Sequence, residues 1–265
     1  MLEPGFLEIG GVRLEARWTG PPPAAAPTLV FLHEGLGSTS LWRDFPDRLA
    51  SETEWGALVY SRAGYGKSDP VPLPRPVRFM HDEAEILPRV LAAAGIREHV
   101  LIGHSDGASI SLIHAGLIHA GSDPAPGLRG VILEAPHVFT EPHGLASIAR
   151  MKEVYRDTDL RERLARHHGA NVDVAFRGWN DVWLDPDFAA WNIEEYLPAI
   201  RVPMLILQGE DDEYGTWAQV EAIERQSGGS VESIAIPGCG HSPHREQPDL
   251  TLRAMADFVI RLRQE

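Results

Sequence analysis

The stretch Val100–Gly116, VLIGHSDGASISLIHAG, decides how this chain is read. Apolar residues lead into Gly103, then come His104, Ser105, Asp106 and Gly107, and a helical pattern follows. The segment Gly103–Gly107 fits G-x-S-x-G at a strand-to-helix turn. Such a turn is tight enough that the flanking positions must be small. It lifts the serine hydroxyl clear of the sheet, at a helix start whose dipole favours negative charge. Taken alone, the same five residues would also suit a glycine-rich turn with a capping serine, so the rest of the chain has to discriminate.

Outward from this point, short apolar runs alternate with longer helical patterns. The runs are Thr28–Leu32, Ala57–Tyr60, Val100–Ile102, Val131–Leu133, Met204–Leu207 and Val231–Ile236. The helical patterns are Ser40–Glu52, Arg78–Ala94, Asp106–Ala120, Thr216–Gln226 and Asp249–Arg263. Near-continuous apolar runs suit strands covered on both faces, and their alternation with helices predicts a doubly wound α/β sheet. Phe6–Ile9 and Val12–Trp18 flank Gly10-Gly11 and predict an N-terminal hairpin. From Thr140 to Pro198 no strand pattern occurs, and the segment is helical and rich in aromatics. It is too long for a simple crossover and is expected to be a helical cap (140–198) inserted into a core of 1–139 and 199–265.

The composition is that of a globular chain, with 43% hydrophobic and 23% charged residues. The formal charge of −14 disfavours a nucleic-acid partner or an anionic membrane surface. One cysteine, Cys239, leaves no disulfide framework and no multi-cysteine metal site. Twelve histidines invite a metal reading, but no H-E-x-x-H or comparable spacing occurs, so neither metal nor cofactor is expected. The start of the chain has no basic segment before an apolar run, and no stretch approaches 18 uninterrupted apolar residues. A cytoplasmic protein with a small-molecule substrate is the expectation.

A serine hydroxyl is a poor nucleophile unless a histidine takes its proton and an acid orients that histidine. Acids follow the run Met204–Leu207 in QGEDDEYG, and His241 follows the last run in PGCGHSPH. With His33–Ser38 (HEGLGS), Ser61–Ser68 (SRAGYGKS), the Gly103–Gly107 turn, Gly209–Asp212 (GEDD) and Gly240-His241 followed by Glu246 and Pro248, the sequence resembles the α/β-hydrolase superfamily over nearly its whole length. The resemblance implies an eight-stranded, mostly parallel sheet and a Ser…Asp…His order of functional residues. By that resemblance Ser105 is the nucleophile and His241 the general base. Asp212 is the favoured acid, with Glu134 in VILEAP as the alternative. The backbone amides of Gly35 and Asp106 would form the oxyanion hole.

Glu34 occupies a position that is often glycine in the family, and Arg62 is a candidate partner for its carboxylate. Asp106 is expected to act as a favourable charge in the first turn of its helix. The histidines other than His241, including His104 and His244, are expected in packing or surface roles. Some of the insertion's aromatics should anchor it to the core. Phe176, Trp179 and Trp183 are the candidates for substrate contact. Fold alone does not choose the reaction. An esterase is the first reading, a carbon–carbon hydrolase of ring-fission diketones with Arg177 as carboxylate anchor the second, and a silent ligand receptor the third.

Overall fold

A computed structural model describes residues 5–120 and 127–263. Its strands are β1 (Gly5–Ile9), β2 (Val12–Thr19), β3 (Thr28–Leu32), β4 (Gly56–Tyr60), β5 (His99–His104), β6 (Leu128–Glu134), β7 (Met204–Gly209) and β8 (Val231–Ile236). They form one eight-stranded sheet in the order β1-β2-β4-β3-β5-β6-β7-β8. β1 pairs antiparallel with β2 and β2 with β4, and every later pairing is parallel. The hairpin turns on Gly10 and Gly11, whose φ values of 60° and 83° suit a two-residue loop that needs positive φ at both positions.

The helices are α1 (Phe45–Thr53), α2 (Phe79–Ala93), α3 (Asp106–Ala120), α4 (Pro142–Asp157), α5 (Leu160–His168), α6 (Val172–Trp183), α7 (Trp217–Gln226), α8 (Pro243–Glu246) and α9 (Pro248–Leu262). Because successive strand residues point to opposite faces, β3 feeds two cores at once. Leu29 and Phe31 join the layer of α1 and α9, while Val30 and Leu32 join the layer of α2 and α3. This is why the central runs are apolar at every position. β8 departs from that rule: it is a half-exposed edge strand. The pattern Ser40–Glu52 also divides. A 3₁₀ turn over Thr39–Trp42 ends at Arg43, which has φ 52°, and α1 starts afresh with Pro46 in its first turn.

Residues 140–199 hold α4, α5 and α6 and three 3₁₀ turns, Gly169–Asn171, Pro186–Ala190 and Glu194–Ala199. α6 is seated on the core by close backbone approaches. A Cβ on Gly35 would collide with the Trp179 indole, and one on Gly178 would meet the Arg75 side chain. From α5, His168 Nδ1 accepts the Gly66 amide at 3.0 Å, so its Nε2–H donates to the Leu36 carbonyl at 2.9 Å. The segment is thereby tied to the loops that follow β3 and β4. No helix among the described residues is long and apolar enough to cross a membrane.

Candidate active site

Ser105 lies between β5 and α3 with φ 54°, in the left-handed region that residues with a Cβ rarely occupy. The two glycines explain how the turn closes. A Cβ on Gly103 would strike the Gly107 carbonyl, and one on Gly107 would strike the Leu32 carbonyl of β3. The Ser105 amide donates to the Glu134 carbonyl at 2.9 Å, tying the turn to the end of β6.

His241 follows β8 and lines the same cavity as Ser105. Its Nδ1 is 2.9 Å from both carboxylate oxygens of Asp212, which follows β7. Nδ1–H donates there, which leaves Nε2 as the acceptor. Asp212 is held in turn: Oδ2 accepts from Gln208 Nε2 at 2.8 Å and Oδ1 from the Tyr214 amide at 2.8 Å. Burial penalises both charges, yet their mutual attraction outweighs it, so His241 is raised above its ordinary pKa and Asp212 lowered below its own. The loop around His241 is fixed from three sides. Glu246 accepts the amides on either flank, Gly240 at 2.7 Å and Ser242 at 2.9 Å. His104 Nε2–H donates to the His241 carbonyl at 2.7 Å.

Glu134 does not approach His241. Its Oε2 accepts from His244 Nδ1 at 2.7 Å and from the His244 amide at 3.2 Å. The expected pairing of the Glu34 carboxylate with Arg62 is also replaced. Arg62 is fully buried, and its guanidinium donates to backbone carbonyls, His33 at 2.5 Å and Glu34 at 3.3 Å. Its charge partner is Asp106, 3.8 Å away and equally buried. Asp106 also accepts from Trp183 Nε1 at 3.0 Å. Its side chain is thus more than a favourable charge at a helix start. Arg62 and Asp106 together join the loop carrying Gly35 to the residue after Ser105, and Trp183 ties that junction to α6. Burial pushes the Asp106 carboxyl up despite Arg62.

The cavity measures about 220 Å³ and is lined by Ser105 and His241, the apolar faces of Leu36, Ile148, Trp179, Trp183 and Tyr214, and the polar side chains of Glu34 and His137. Glu213, Ser242 and Glu246 complete its polar side. Of the three aromatics expected to touch substrate, Trp179 and Trp183 are on this wall. Phe176 is not: it is buried behind it, stacked on Tyr155 at 3.7 Å with its edge toward Trp179. A neighbouring stack of Phe188 on Trp191 supports Trp183. Arg177 is exposed and pairs with Asp181 on its own helix. His137 was not singled out by the sequence. It lies on the wall with its ring nearly parallel to His241, 5.7 Å between centroids, and burial lowers its pKa to about 4. Its only sequence signal is its place three residues past Glu134, at the end of the strand next to β5.

A family model described as "Alpha/beta hydrolase family" matches residues 29–254. The chain belongs to that family. Among characterised proteins it is similar to 2-succinyl-6-hydroxy-2,4-cyclohexadiene-1-carboxylate synthase of Enterobacter sp. (strain 638), at 26% identity over 89% of this chain and 93% of that protein. Among solved structures it resembles an esterase from Exiguobacterium antarcticum, with a TM-score of 0.74 at 18% identity, covering 97% of this chain and 99% of the other. It also resembles an esterase from Rhodococcus sp. ECU1013, with a TM-score of 0.68 at 21% identity, covering 96% and 97%. These last two likenesses are of fold.

Proposed function

We propose that this α/β hydrolase cleaves small or medium carboxylic esters through an acyl-enzyme on Ser105. One observation carries the reading: His241, with Nδ1 bonded to Asp212, faces the cavity that also holds Ser105 in its tight turn. His241 Nε2 takes the Ser105 proton as Oγ attacks the ester carbonyl. The amides of Gly35 and Asp106 receive the oxyanion, and the Arg62–Asp106 junction keeps those two amides in register. The imidazolium, stabilised by Asp212, then protonates the departing alcohol. Water attacks the acyl-enzyme by the same route in reverse. No cofactor is needed for these steps.

In this reading residues 140–198 act as a cap. Trp179, Trp183 and Ile148 roof the cavity, exclude water and limit the acyl group to a size that about 220 Å³ accommodates. Short-chain esters are therefore preferred over long-chain ones. Cleavage of a diketone acid would call for a cation to hold its carboxylate. No Lys or Arg lines this cavity among the described residues, which favours the ester reading.

A panel of nitrophenyl esters of rising chain length tests the proposal, with a fluorophosphonate as a covalent probe. Turnover should peak at short chains, and the probe should label Ser105. Ser105→Ala should lower turnover by about 10⁴-fold or more. A purified variant keeping over a tenth of the activity removes Ser105 from the role. A folded protein inert to both esters and probe would instead support a silent receptor.

A further inference from the structure

The cavity wall carries the carboxylates of Glu34, Glu213 and Glu246. They are not equivalent. Both oxygens of Glu246 are taken by the amides of Gly240 and Ser242. Glu213 is exposed at the rim. Glu34 sits one residue before Gly35 and is half-buried, and neither of its carboxylate oxygens takes a hydrogen bond among the described residues: Oε2 is sealed under the loop, so a ligand in the cavity meets the carboxylate at Oε1. The loop is shaped around Oε2, since a Cβ on Gly37 would collide with it. The cations around the carboxylate, His244, Arg245, His241 and Arg62, lower its pKa only through space: none forms an ion pair or hydrogen bond with it among the described residues, and Arg62 turns its donors to carbonyls and its charge to Asp106.

A carboxylate withdrawn from water without a partner is unfavourable, and a ligand that brings a donor and a positive charge relieves it. We propose that Glu34 receives a protonated amine of the substrate, so that this site selects small ammonium-bearing esters and turns away carboxylates. The inference rests on the proposed reading of Ser105 and adds the substrate class. Glu34 and Ser105 line one cavity, which puts the amine and the reacting carbonyl in the same small space. The indole and phenol rings of Trp179, Trp183 and Tyr214 line the same space and offer faces to a cation. At longer range the −14 charge of the chain draws cations toward it.

Equilibrium binding tests this without requiring turnover. Three ligands of one skeleton are titrated by tryptophan fluorescence or calorimetry at neutral pH: 3-phenylpropylamine, 3-phenylpropan-1-ol and 3-phenylpropionate. The wild type should bind the amine about tenfold or more tighter than the alcohol, and the carboxylate weakest. Glu34→Gln should bring the amine-to-alcohol ratio close to one, whereas Glu213→Gln should leave most of it. The ratio is read within each protein, so a change in overall affinity does not obscure it. If Glu34→Gln fails to fold, the wild-type ratio and that of Glu34→Asp, which keeps the charge, decide. An amine bound no tighter than the alcohol, a preference that survives Glu34→Gln, or a carboxylate bound tightest would overturn the proposal. Ester turnover with a flat ratio sinks this inference alone. A Glu34-dependent ratio in a protein that hydrolyses no ester sinks the reading of Ser105 alone.

Discussion

Two histidine–carboxylate pairs stand three residues apart on one loop. His241 meets Asp212 at the end of β7, and His244 meets Glu134 at the end of the adjacent β6, at 2.9 and 2.7 Å. In bonding they are nearly the same object. Their surroundings separate them. His241 lines the cavity beside Ser105. His244 is packed against Trp42, 4.4 Å between ring centroids, and against Phe45, and the space around it amounts to about 10 Å³. The sealed pair pins α8 to the sheet, and Glu134 also anchors the Ser105 amide through its carbonyl. The same chemistry thus serves placement in one pair and is available for proton transfer in the other. What decides is access to the nucleophile, not the bond within the pair.

The largest expected effect breaks the two pairs in turn. His241→Ala and Asp212→Asn should each lower kcat/KM by about 10⁴-fold, equivalent to about 5.5 kcal/mol of transition-state stabilisation. His244→Ala and Glu134→Gln should act on stability instead. Removing His244 leaves a buried carboxylate unpaired, which costs about 3–5 kcal/mol, while activity per folded molecule stays within about tenfold of wild type. Parallel denaturant melts and ester kinetics check this, and equal activity losses across the four variants would erase the distinction.

A second group of variants sharpens the role of the junction behind the amides. Arg62→Met should destabilise by about 3–5 kcal/mol, because Asp106 is left as an uncompensated buried charge. Trp183→Phe removes one buried N–H donor to Asp106 and should cost about 1–3 kcal/mol. Because that bond joins α6 to the turn after Ser105, Trp183→Phe should lower kcat more than it raises KM. An effect on KM alone would confine Trp183 to the cavity wall.

The smallest effect per residue is in pH, where the cavity-lining His241 and a set of buried histidines part in opposite directions. His241 is raised, so activity should fall on the acid side with a midpoint above the ordinary value of about 6.5. His99, His137 and His168 are lowered to about 4 and His33 and His104 well below 6.5, all chiefly by burial. The folded state binds fewer protons at these five than the unfolded state does. Their contribution is therefore fully present above about pH 6.5 and lost as pH falls toward 4, by up to about 1.4 kcal/mol per pH unit for each. Burial raises Glu34, Glu83 and Asp106, which offsets part of this loss. Melting temperature followed from pH 7 to 4 should decline steadily, and only after activity has begun to go. Coincident midpoints would contradict the assignment.

The sheet and family were legible because the middle of a strand buried on both faces must be apolar at each position, and the middles of β3 to β7 are. The Ser105 turn was legible because steric closeness demands glycine at both flanks, a constraint local enough to survive in sequence. The same kind of closeness at Gly35 was hidden, since the Trp179 that requires it lies 144 residues away. Arg62 illustrates the limit differently. Its charge suggested a carboxylate partner, and its place on the neighbouring strand-end loop suggested Glu34. The three-dimensional path of the loop presents Glu34's carbonyl instead and brings Asp106 to the guanidinium. Aromatic spacing in the insertion marked burial correctly but could not tell a wall residue such as Trp183 from a buttress such as Phe176. His137 escaped because a single histidine past a strand end carries no periodicity.

The most direct measurement is to trap the acyl-enzyme. Purified protein mixed with excess p-nitrophenyl acetate and acid-quenched within the first turnovers should carry a single acetyl group on the peptide containing Ser105. Ser105→Ala should carry none there, and His244→Ala should acylate close to the wild-type rate, whereas His241→Ala should do so about 10⁴-fold more slowly. Hydrolysis without acetyl on Ser105, or acylation that depends on His244 and not on His241, would contradict the account.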